Sequence, residues 1–415
     1  MRKLHLFILV FLFSGFAIAQ EQLKVAFYNL FEYPRYLPTN RAPYLKNILS
    51  DIDPDLFLVC ELLSEEGADD ILYNAMNYDP NRNFARAPYV SNQSSNSDMQ
   101  QLLFYDSDIW ELLSTELLTT NYRDINKYKL RLITEEENDP TYVYAFITHL
   151  KSSDGRANRL IRLEMVEALT EHLQYIEPDA FVMFAGDFNL YSSTEESYQE
   201  LLNEENDIVF VDPINSLGDW HDNEDFAYLH TQATRLSNAG FTTGASGGMD
   251  DRFDFIMLSE SFFENNPKLE YIEDSYVAYG NNGNCFKKDI NDPSCDGEYS
   301  LETRDWLYWM SDHLPVVLEL QTNQNLLNTT KHENLEQQPK ILSNPVENVL
   351  QIRMPELANN HFTINIYNSI GKSVIKQSVE SNNSVFDIPV EHLSSGLYFI
   401  QLSNYPNQPI KFIKK

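Results

Sequence analysis

The chain has 415 residues, longer than one average domain and suited to a large domain followed by a small one. Its 62 acidic side chains against 30 basic ones give a formal net charge of -32, which argues against tight nucleic-acid binding through a basic face. Three cysteines are too few for a disulfide-built scaffold.

In chain order, Arg2 and Lys3 precede an apolar stretch from Leu4 to Phe16 and the small-x-small run Ala17-Ile18-Ala19. This is the pattern of a secretory signal peptide over residues 1–19, too short and wrongly flanked for a membrane anchor. The mature chain is expected to begin near Gln20. No later stretch is long and apolar enough to span a bilayer, so a secreted or cell-surface product without stable membrane insertion is expected. From Leu23 to about Leu320, β-rich apolar runs alternate with amphipathic stretches. Strands are predicted at Leu23–Leu30, Asp55–Leu62, Gln101–Tyr105, Tyr142–Leu150, Ala180–Ala185, Phe253–Leu258 and Leu314–Leu320, several apolar on both faces and therefore central. Helices are predicted at Ala42–Ile52, Asp69–Met76 and Arg156–Tyr175. In the last, Leu160, Leu163, Val166, Leu169 and Leu173 form one core-facing stripe. The alternation predicts a layered α/β domain.

Residues 321–339 are rich in Asn, Gln and Glu and read as a linker. Beyond it, short strands at Val349–Ile352, Phe362–Tyr367, Ser373–Val379 and Gly396–Leu402, with a turn at Ser369-Ile370-Gly371-Lys372, predict a small C-terminal β-sandwich without a catalytic cluster. From Lys340 onward seven basic residues meet five acidic ones, so the acidity resides in the long first region. Cys285 and Cys295 share a polar loop and are expected to bridge in an oxidising compartment; Cys60 lies in an apolar strand as a buried thiol. The pair lacks the further soft ligands a zinc site needs.

Polar residues sit inside or at the ends of these hydrophobic strands: Asn29, Glu61, Asp187 and Asn189 in Gly186-Asp187-Phe188-Asn189, Asp254, and Asp312-His313 before Leu314-Pro315. A carboxylate buried there is costly unless a metal, a base or a hydrogen-bond network compensates it. An Asp beside a His at a strand end can set a hard oxygen ligand and an imidazole on neighbouring sides of a reacting phosphoester.

In order, Phe27-Tyr28-Asn29-Leu30, Glu61 after Pro54-Asp55-Leu56, Thr148-His149-Leu150-Lys151, Gly186-Asp187-Phe188-Asn189, Arg252-Phe253-Asp254-Phe255-Ile256 and Ser311-Asp312-His313-Leu314-Pro315 resemble the motifs of the endonuclease/exonuclease/phosphatase superfamily. The resemblance places that domain at residues 22–320 and implies a four-layered α/β sandwich, two packed β-sheets flanked by helices. It implies a Mg2+-dependent phosphoester hydrolase, with Mn2+ or Ca2+ as alternative ions. Glu61 corresponds to the principal metal ligand, with Asp312 and Asn29 completing or supporting the shell. His313 corresponds to the general base or transition-state partner, oriented by Asp254; Asp187 to the residue that positions the attacking water; Asn189 to a donor for a phosphate oxygen. His149 is similar to the second histidine of the deoxyribonuclease I and sphingomyelinase branches, a phosphate contact or leaving-group acid.

Phe31 stands where many members carry an Asp, which puts a second-metal role there in doubt, and Glu32 is expected to leave the strand. Arg156, Arg159 and Arg162 are within reach of phosphate, though solvated surface positions fit them better. Asp289, Asn291, Asp292 and Asp296 read as a polar loop in preference to a Ca2+ site. Trp220, His221, Phe226, His230 and the Gly240–Gly248 stretch are candidates for a substrate rim.

In the tail, Leu342-Ser343-Asn344-Pro345-Val346, Ile366-Tyr367-Asn368-Ser369-Ile370-Gly371-Lys372 and Leu393-Ser394-Ser395-Gly396-Leu397-Tyr398-Phe399-Ile400 resemble the C-terminal sorting domain of type IX secretion substrates, over residues 340–415. The expected function is a monomeric secreted phosphodiesterase, an endonuclease on extracellular DNA, with the type IX machinery as partner. A phosphatase or sphingomyelinase-type phospholipase of the same fold is the enzymatic alternative, and a surface binding protein on an inactive nuclease fold the non-enzymatic one.

Overall fold

The computed structural model describes residues 21–415 apart from 36–37, 80–81, 95–96, 239, 242, 267, 328–339, 342–345, 354–360, 369–370, 381–384 and 403–404. The expected signal peptide and most of the expected linker lie outside the described residues, as do Leu342–Pro345 and the first half of the turn expected at Ser369. The chain divides into two compact units, Met1–Asn328 and Thr329–Lys415.

The strands of the first unit begin with β1 (Glu21–Tyr33), β2 (Leu56–Leu62), β3 (Phe84–Arg86), β4 (Gln100–Asp106), β5 (Trp110–Leu118), β6 (Ile125–Leu132) and β7 (Tyr142–His149). They continue with β8 (Phe181–Asp187), β9 (Phe210–Val211), β10 (Asp254–Ser259), β11 (Glu270–Tyr271), β12 (Val277–Ala278) and β13 (Val316–Thr322). One sheet has the order β11-β13-β1-β2-β4-β3 with β12 also on β13; the other has the order β5-β6-β7-β8-β10-β9. Their facing side chains, among them Val25, Phe27, Leu58 and Leu103 against Leu130, Ala145, Met183 and Ile256, form one buried core. Helices α1 (Ala42–Ile52) and α5 (Leu301–Met310) cover the first sheet through Leu45, Ile48, Leu49, Leu307 and Met310. Helices α3 (Arg156–Leu173) and α4 (Glu196–Leu201) cover the second through Val166, Leu169, Leu173, Tyr198 and Leu201; the short α2 (Glu65–Asp70) precedes a π-helical turn. This is the expected four-layered sandwich.

The topology also sets where the site can be. β1 runs parallel to β2 and β7 parallel to β8, so the carboxyl ends of these strands lie at one end of their sheets. β13 is antiparallel to β1 and β10 antiparallel to β8, which brings their amino ends to that same end. Asn29, Glu61, His149 and Asp187 sit at carboxyl ends; Asp254 opens β10 and Asp312-His313 leads into β13.

Several local expectations are corrected. Helix α3 buries Arg162, Met165, Val166, Leu169 and Leu173, while Leu160 is 46% exposed, so its stripe is rotated toward an arginine that apolar counting passes over. The expected helix Asp69–Met76 is α2 followed by the π-helical turn Ile71–Met76, begun by Ser64, whose Oγ accepts from Gly67 N. The β5–β6 hairpin is not among the expected strands, because alternation with Lys127, Lys129 and Arg131 dilutes its apolar content. The bridge Cys285–Cys295 is present and Cys60 is a buried free thiol.

The chain also stays on the first unit beyond Gln321, where a linker was expected. Thr322 pairs with Glu21, Leu326 is buried and bridges Thr134, and Leu327 N donates to Ile133 O. In the second unit, β14 (Lys340–Ile341), β15 (Val349–Arg353) and β18 (Val385–Pro389) form one sheet. β16 (His361–Asn368), β17 (Ser373–Glu380), β19 (Gly396–Leu402) and β20 (Tyr405–Lys414) form the other. They enclose a core that includes Leu350, Ile352, Ile366, Ile388, Ile400 and Phe412.

The position of Leu326 yields a stability test. A chain ending at residue 328 should melt as the intact first unit does, whereas one ending at Gln321 should lose about 2–4 kcal/mol through the missing Leu326 burial and ladder contacts. Differential scanning calorimetry of the two truncations checks this; equal melting temperatures would contradict it.

Candidate active site

The end of β1 is irregular. Its pairing with β2 shifts register between Asn29 and Tyr33, and Phe31, Glu32 and Glu61 have φ of 48°, 44° and 57°. Left-handed backbone at non-glycine residues costs of order 1–3 kcal/mol each and persists where packing over-determines it. Here it turns side chains of the first sheet toward the second. Glu32 does not leave the strand as expected; its N–H donates to Glu61 Oε2 at 3.0 Å. Gly186 is needed for close approach, since a Cβ there would lie 2.4 Å from Thr148 O, and its tight strand pairing sets Asp187 directly beside His149.

The structure gathers these residues into a cleft of about 330 Å³, lined by Glu61, His149, Asp187, Asn189, Asp312 and His313 among others. Asn29, fully buried, donates Nδ2 to Glu61 Oε1 and Asp187 Oδ2, each at 3.1 Å, and lies 3.3 Å from His313 Nε2. Its Oδ1 accepts from Phe31 N at 3.0 Å. With that oxygen toward Phe31 N and its amide nitrogen toward the carboxylates, Asn29 links Glu61 to Asp187.

His313 Nδ1 lies 2.7 Å from Asp254 Oδ2, the expected carboxylate–imidazole pair. Asp254 is fully buried, donates its backbone N–H to Thr231 Oγ1 at 3.2 Å, and faces Asp187 across the β8–β10 ladder. His313 Nε2 is 3.7 Å from Asp187 Oδ2. Ser311 supports the pair, donating Oγ to Asn29 O and accepting from His313 N. His149 bridges the sheets, Nε2 lying 3.4 Å from Asp187 Oδ2 and Nδ1 3.8 Å from Glu61 Oε1.

Burial and neighbours separate the titrations. Burial pushes the Asp187 carboxyl up to about 8, helped by Asp254 and Glu61 and opposed by His313. Burial and the Asp312 charge raise Glu61 as well. Burial pulls the His313 imidazole down, but the Asp254 and Asp187 carboxylates outweigh it and hold the ring well above its ordinary value. His149 goes the other way, lowered by burial and then by Arg123, so it is neutral at neutral pH.

Glu61, His149 and Asp187 each offer one ligand atom within 4.8 Å of one another, the one such group among the described residues. The buried His149 Nδ1 lacks a hydrogen-bond partner, and two carboxyls with raised proton affinity crowd it; a divalent cation answers both features. Asp312 lies in the same cleft but outside this triad, its Oδ2 accepting from Ala245 N at 2.6 Å. That close contact requires Gly244, with φ of 110°, since a Cβ would press on Phe31 and Asp312. Asn189, at φ 52°, caps Asp187 through its N–H, and its Nδ2 reaches Leu150 O at a long 3.4 Å.

Other candidates fall elsewhere. Trp220 and His230 are fully buried core residues, not a rim; the His230 ring lies between Trp220 O and Met249 O. His221 pairs with Asp251, Phe226 packs on the outer core, and of the Gly240–Gly248 stretch Thr243, Gly244 and Ala245 line the cleft. Arg162 is buried on Glu195, Arg159 pairs with Asp154, and neither they nor Arg156 line the cleft. Asp289 and Asp292 accept from backbone N–H groups, as in a polar loop. Sequence reasoning passed over Arg123, which lines the cleft while donating to His149 O and Leu150 O, and Gln232, 2.6 Å from His313 Nε2. Neither belongs to a recognisable string, so only the fold exposes them.

Residues 340–415 match the family model described as a secretion system C-terminal sorting domain, and this marks the chain as a secreted or cell-surface protein. No curated protein matches the chain in sequence. Solved structures similar to it include D. rerio TDP2 complexed with single strand DNA product, at 15% identity and TM-score 0.47, covering 72% of this chain and 98% of that one. An endonuclease/exonuclease/phosphatase family protein from Bacteroides thetaiotaomicron is similar at 15% identity and TM-score 0.44, covering 73% and 99%. The human Nocturnin catalytic domain with bound sulfate anion is similar at 14% identity and TM-score 0.43, covering 72% and 97%.

The raised Asp187 carboxyl would give binding of a divalent ion at the Glu61, His149 and Asp187 group a signed pH dependence. Below about pH 8 a divalent ion must displace its proton, so apparent affinity should weaken by up to about tenfold per pH unit as pH falls. Calorimetric titration with Mg2+ and with Mn2+ at about pH 6.5 and about pH 8.5 measures it; equal affinities would mean that no proton leaves Asp187 for the metal.

Proposed function

We propose that this protein is a secreted, metal-dependent phosphoester hydrolase, and specifically a phosphodiesterase of nuclease type acting on extracellular DNA. The observation that carries this reading is the convergence, at one end of the sandwich, of the His313–Asp254 pair with the Glu61, His149 and Asp187 group.

The pair of shifted groups suggests the division of labour. His313, charged and oriented by Asp254, faces the phosphate and stabilises the negative charge that develops on its oxygens. Asp187, at the cleft beside His149 and His313, would position the attacking water, and Asn189 would donate to a phosphate oxygen. His149, neutral and buried, fits contact with metal or phosphate better than the leaving-group acid role. Glu61 and Asp187 with His149, supported by Asp312, would hold the ion, and Arg123 supplies fixed positive charge in the cleft. A bound divalent ion supplies charge neutralisation at the phosphate and lowers the proton affinity of bound water. Mg2+ is the proposed ion and Ca2+ an alternative; an imidazole beside two carboxylates is also compatible with Mn2+. The sorting domain is proposed to engage the type IX secretion machinery, the catalytic unit acting as a monomer.

A phosphatase or phospholipase reading is the second one, and charge favours it. Outside residues 340–415 the chain carries 57 acidic against 23 basic side chains. Arg123 is the one Lys or Arg among the described residues lining the cleft. A small or lipid phosphoester meets less repulsion there than duplex DNA. Against a non-enzymatic binding role, none of Glu61, Asp187, Asp254 and His313 has been replaced.

Turnover of duplex DNA, RNA, sphingomyelin and simple phosphomonoesters with Mg2+, measured side by side, tests the substrate class; no turnover of any would defeat the hydrolase reading. His313→Ala should fold normally and lose at least about 100-fold in kcat. Near wild-type turnover in that variant would defeat the mechanism. Glu61→Gln keeps the shape and removes a charge, so its activation midpoint for Mg2+ should rise by about tenfold or more. An unchanged midpoint would make Glu61 a structural acid.

A further inference from the structure

Gln232 presents its amide to the one ring nitrogen of His313 that Asp254 leaves free. Gln232 Nε2 lies 2.6 Å from His313 Nε2, and His313 Nδ1 is committed to Asp254 Oδ2. The backbone that carries Gln232 is fixed on two sides. Toward the approach to β10, Gln232 N donates to Asp251 O, and Asp250 N and Asp251 N donate to Gln232 O at 2.9 and 2.8 Å. Toward the approach to β13, Leu314 N donates to Thr231 O at 2.7 Å, Thr234 N to Asp312 O at 3.0 Å, and Thr234 Oγ1 to Ser311 O at 2.6 Å. Residues 231–234 are thus a strap tying together the segments that bear Asp254 and His313.

One hydrogen bond at Nδ1 leaves an imidazole free to rock about that contact. A second at Nε2 removes the freedom, and the long 3.3 Å approach of Asn29 is a weak substitute for it. An amide suits the task in either protonation state of the ring: its NH2 end donates to a lone pair and its C=O end accepts from an N–H, the assignment of the ends following the network. The same nitrogen is the one directed into the cleft, so a phosphate oxygen that engages His313 must take the place of Gln232.

We infer that Gln232 is a positioning residue for His313, holding Nε2 aimed into the cleft of the free enzyme and yielding that nitrogen to a phosphate oxygen of the substrate. The inference rests on the reading of His313 as the phosphate-facing group.

The test uses the full chain with Mg2+ and bis(p-nitrophenyl) phosphate at fixed pH, together with ring-15N-labelled histidine; the His313→Ala spectrum assigns the resonances. Gln232→Met, similar in size and without the amide, should raise KM about ten- to hundredfold with kcat within about threefold, because the contact it removes is made in the free enzyme, and should shift the His313 Nε2 resonance. Gln232→Glu keeps an acceptor of the same length, should leave that resonance in its hydrogen-bonded position, and serves if the Met variant does not fold. A wild-type KM in Gln232→Met, or a raised KM with an unmoved resonance in both variants, would overturn the inference. The functional reading fails separately, through an active His313→Ala variant; an inactive one beside a Gln232→Met of wild-type KM defeats the inference alone.

Discussion

A single buried amide couples the two sheets at their functional end. Asn29 Nδ2 reaches a carboxylate on each sheet, Glu61 on β2 and Asp187 on β8, and lies against His313. Two acids that would repel one another in an apolar interior are held by one donor group between them, and the sandwich supplies the rigid walls that keep it there. The left-handed turns at Phe31, Glu32 and Glu61 follow from the same demand, because regular strands would direct these residues along their own sheet instead of across the gap.

Around this junction the protein uses buried cations sparingly and locally. Arg41 is fastened to Leu30 O, Phe31 O and Met310 O and braces the irregular end of β1. Arg252 forms a two-pronged pair with Asp212 two residues before Asp254, and Arg162 does the structural work in α3 through Glu195. Arg162 and Arg252 are each matched to a carboxylate and fix backbone, whereas Arg41 and the buried Arg235 also feel the Asp312 charge at the cleft. Positive charge at the cleft comes from His313, Arg123 and these two arginines, and a bound cation would add to it.

The chemistry-bearing strings were legible because an acid or amide set in an apolar strand is conspicuous by its cost. Asp187, Asp254, Asp312 and His313 announce themselves in this way, as does the layered alternation of strand and helix. Residues whose importance comes from position were not legible. Gln232 and Arg123 lie in stretches of ordinary polarity, and Arg162, Trp220 and His230 gave the wrong impression because side-chain type does not reveal whether a partner such as Glu195, Ser216 O or Trp220 O waits in the fold.

By itself, then, the sequence determined the layered α/β architecture, the separate small β-domain and most of the acids and histidines at the site, since apolar periodicity and buried charge are local properties of the chain. Tertiary structure alone decided that Asn29 links Glu61 to Asp187, that His149 and His313 are driven to opposite protonation, and that the first unit holds the chain through Leu327. Each of these depends on which groups from distant segments share one low-dielectric space, and spacing along the chain carries no record of that.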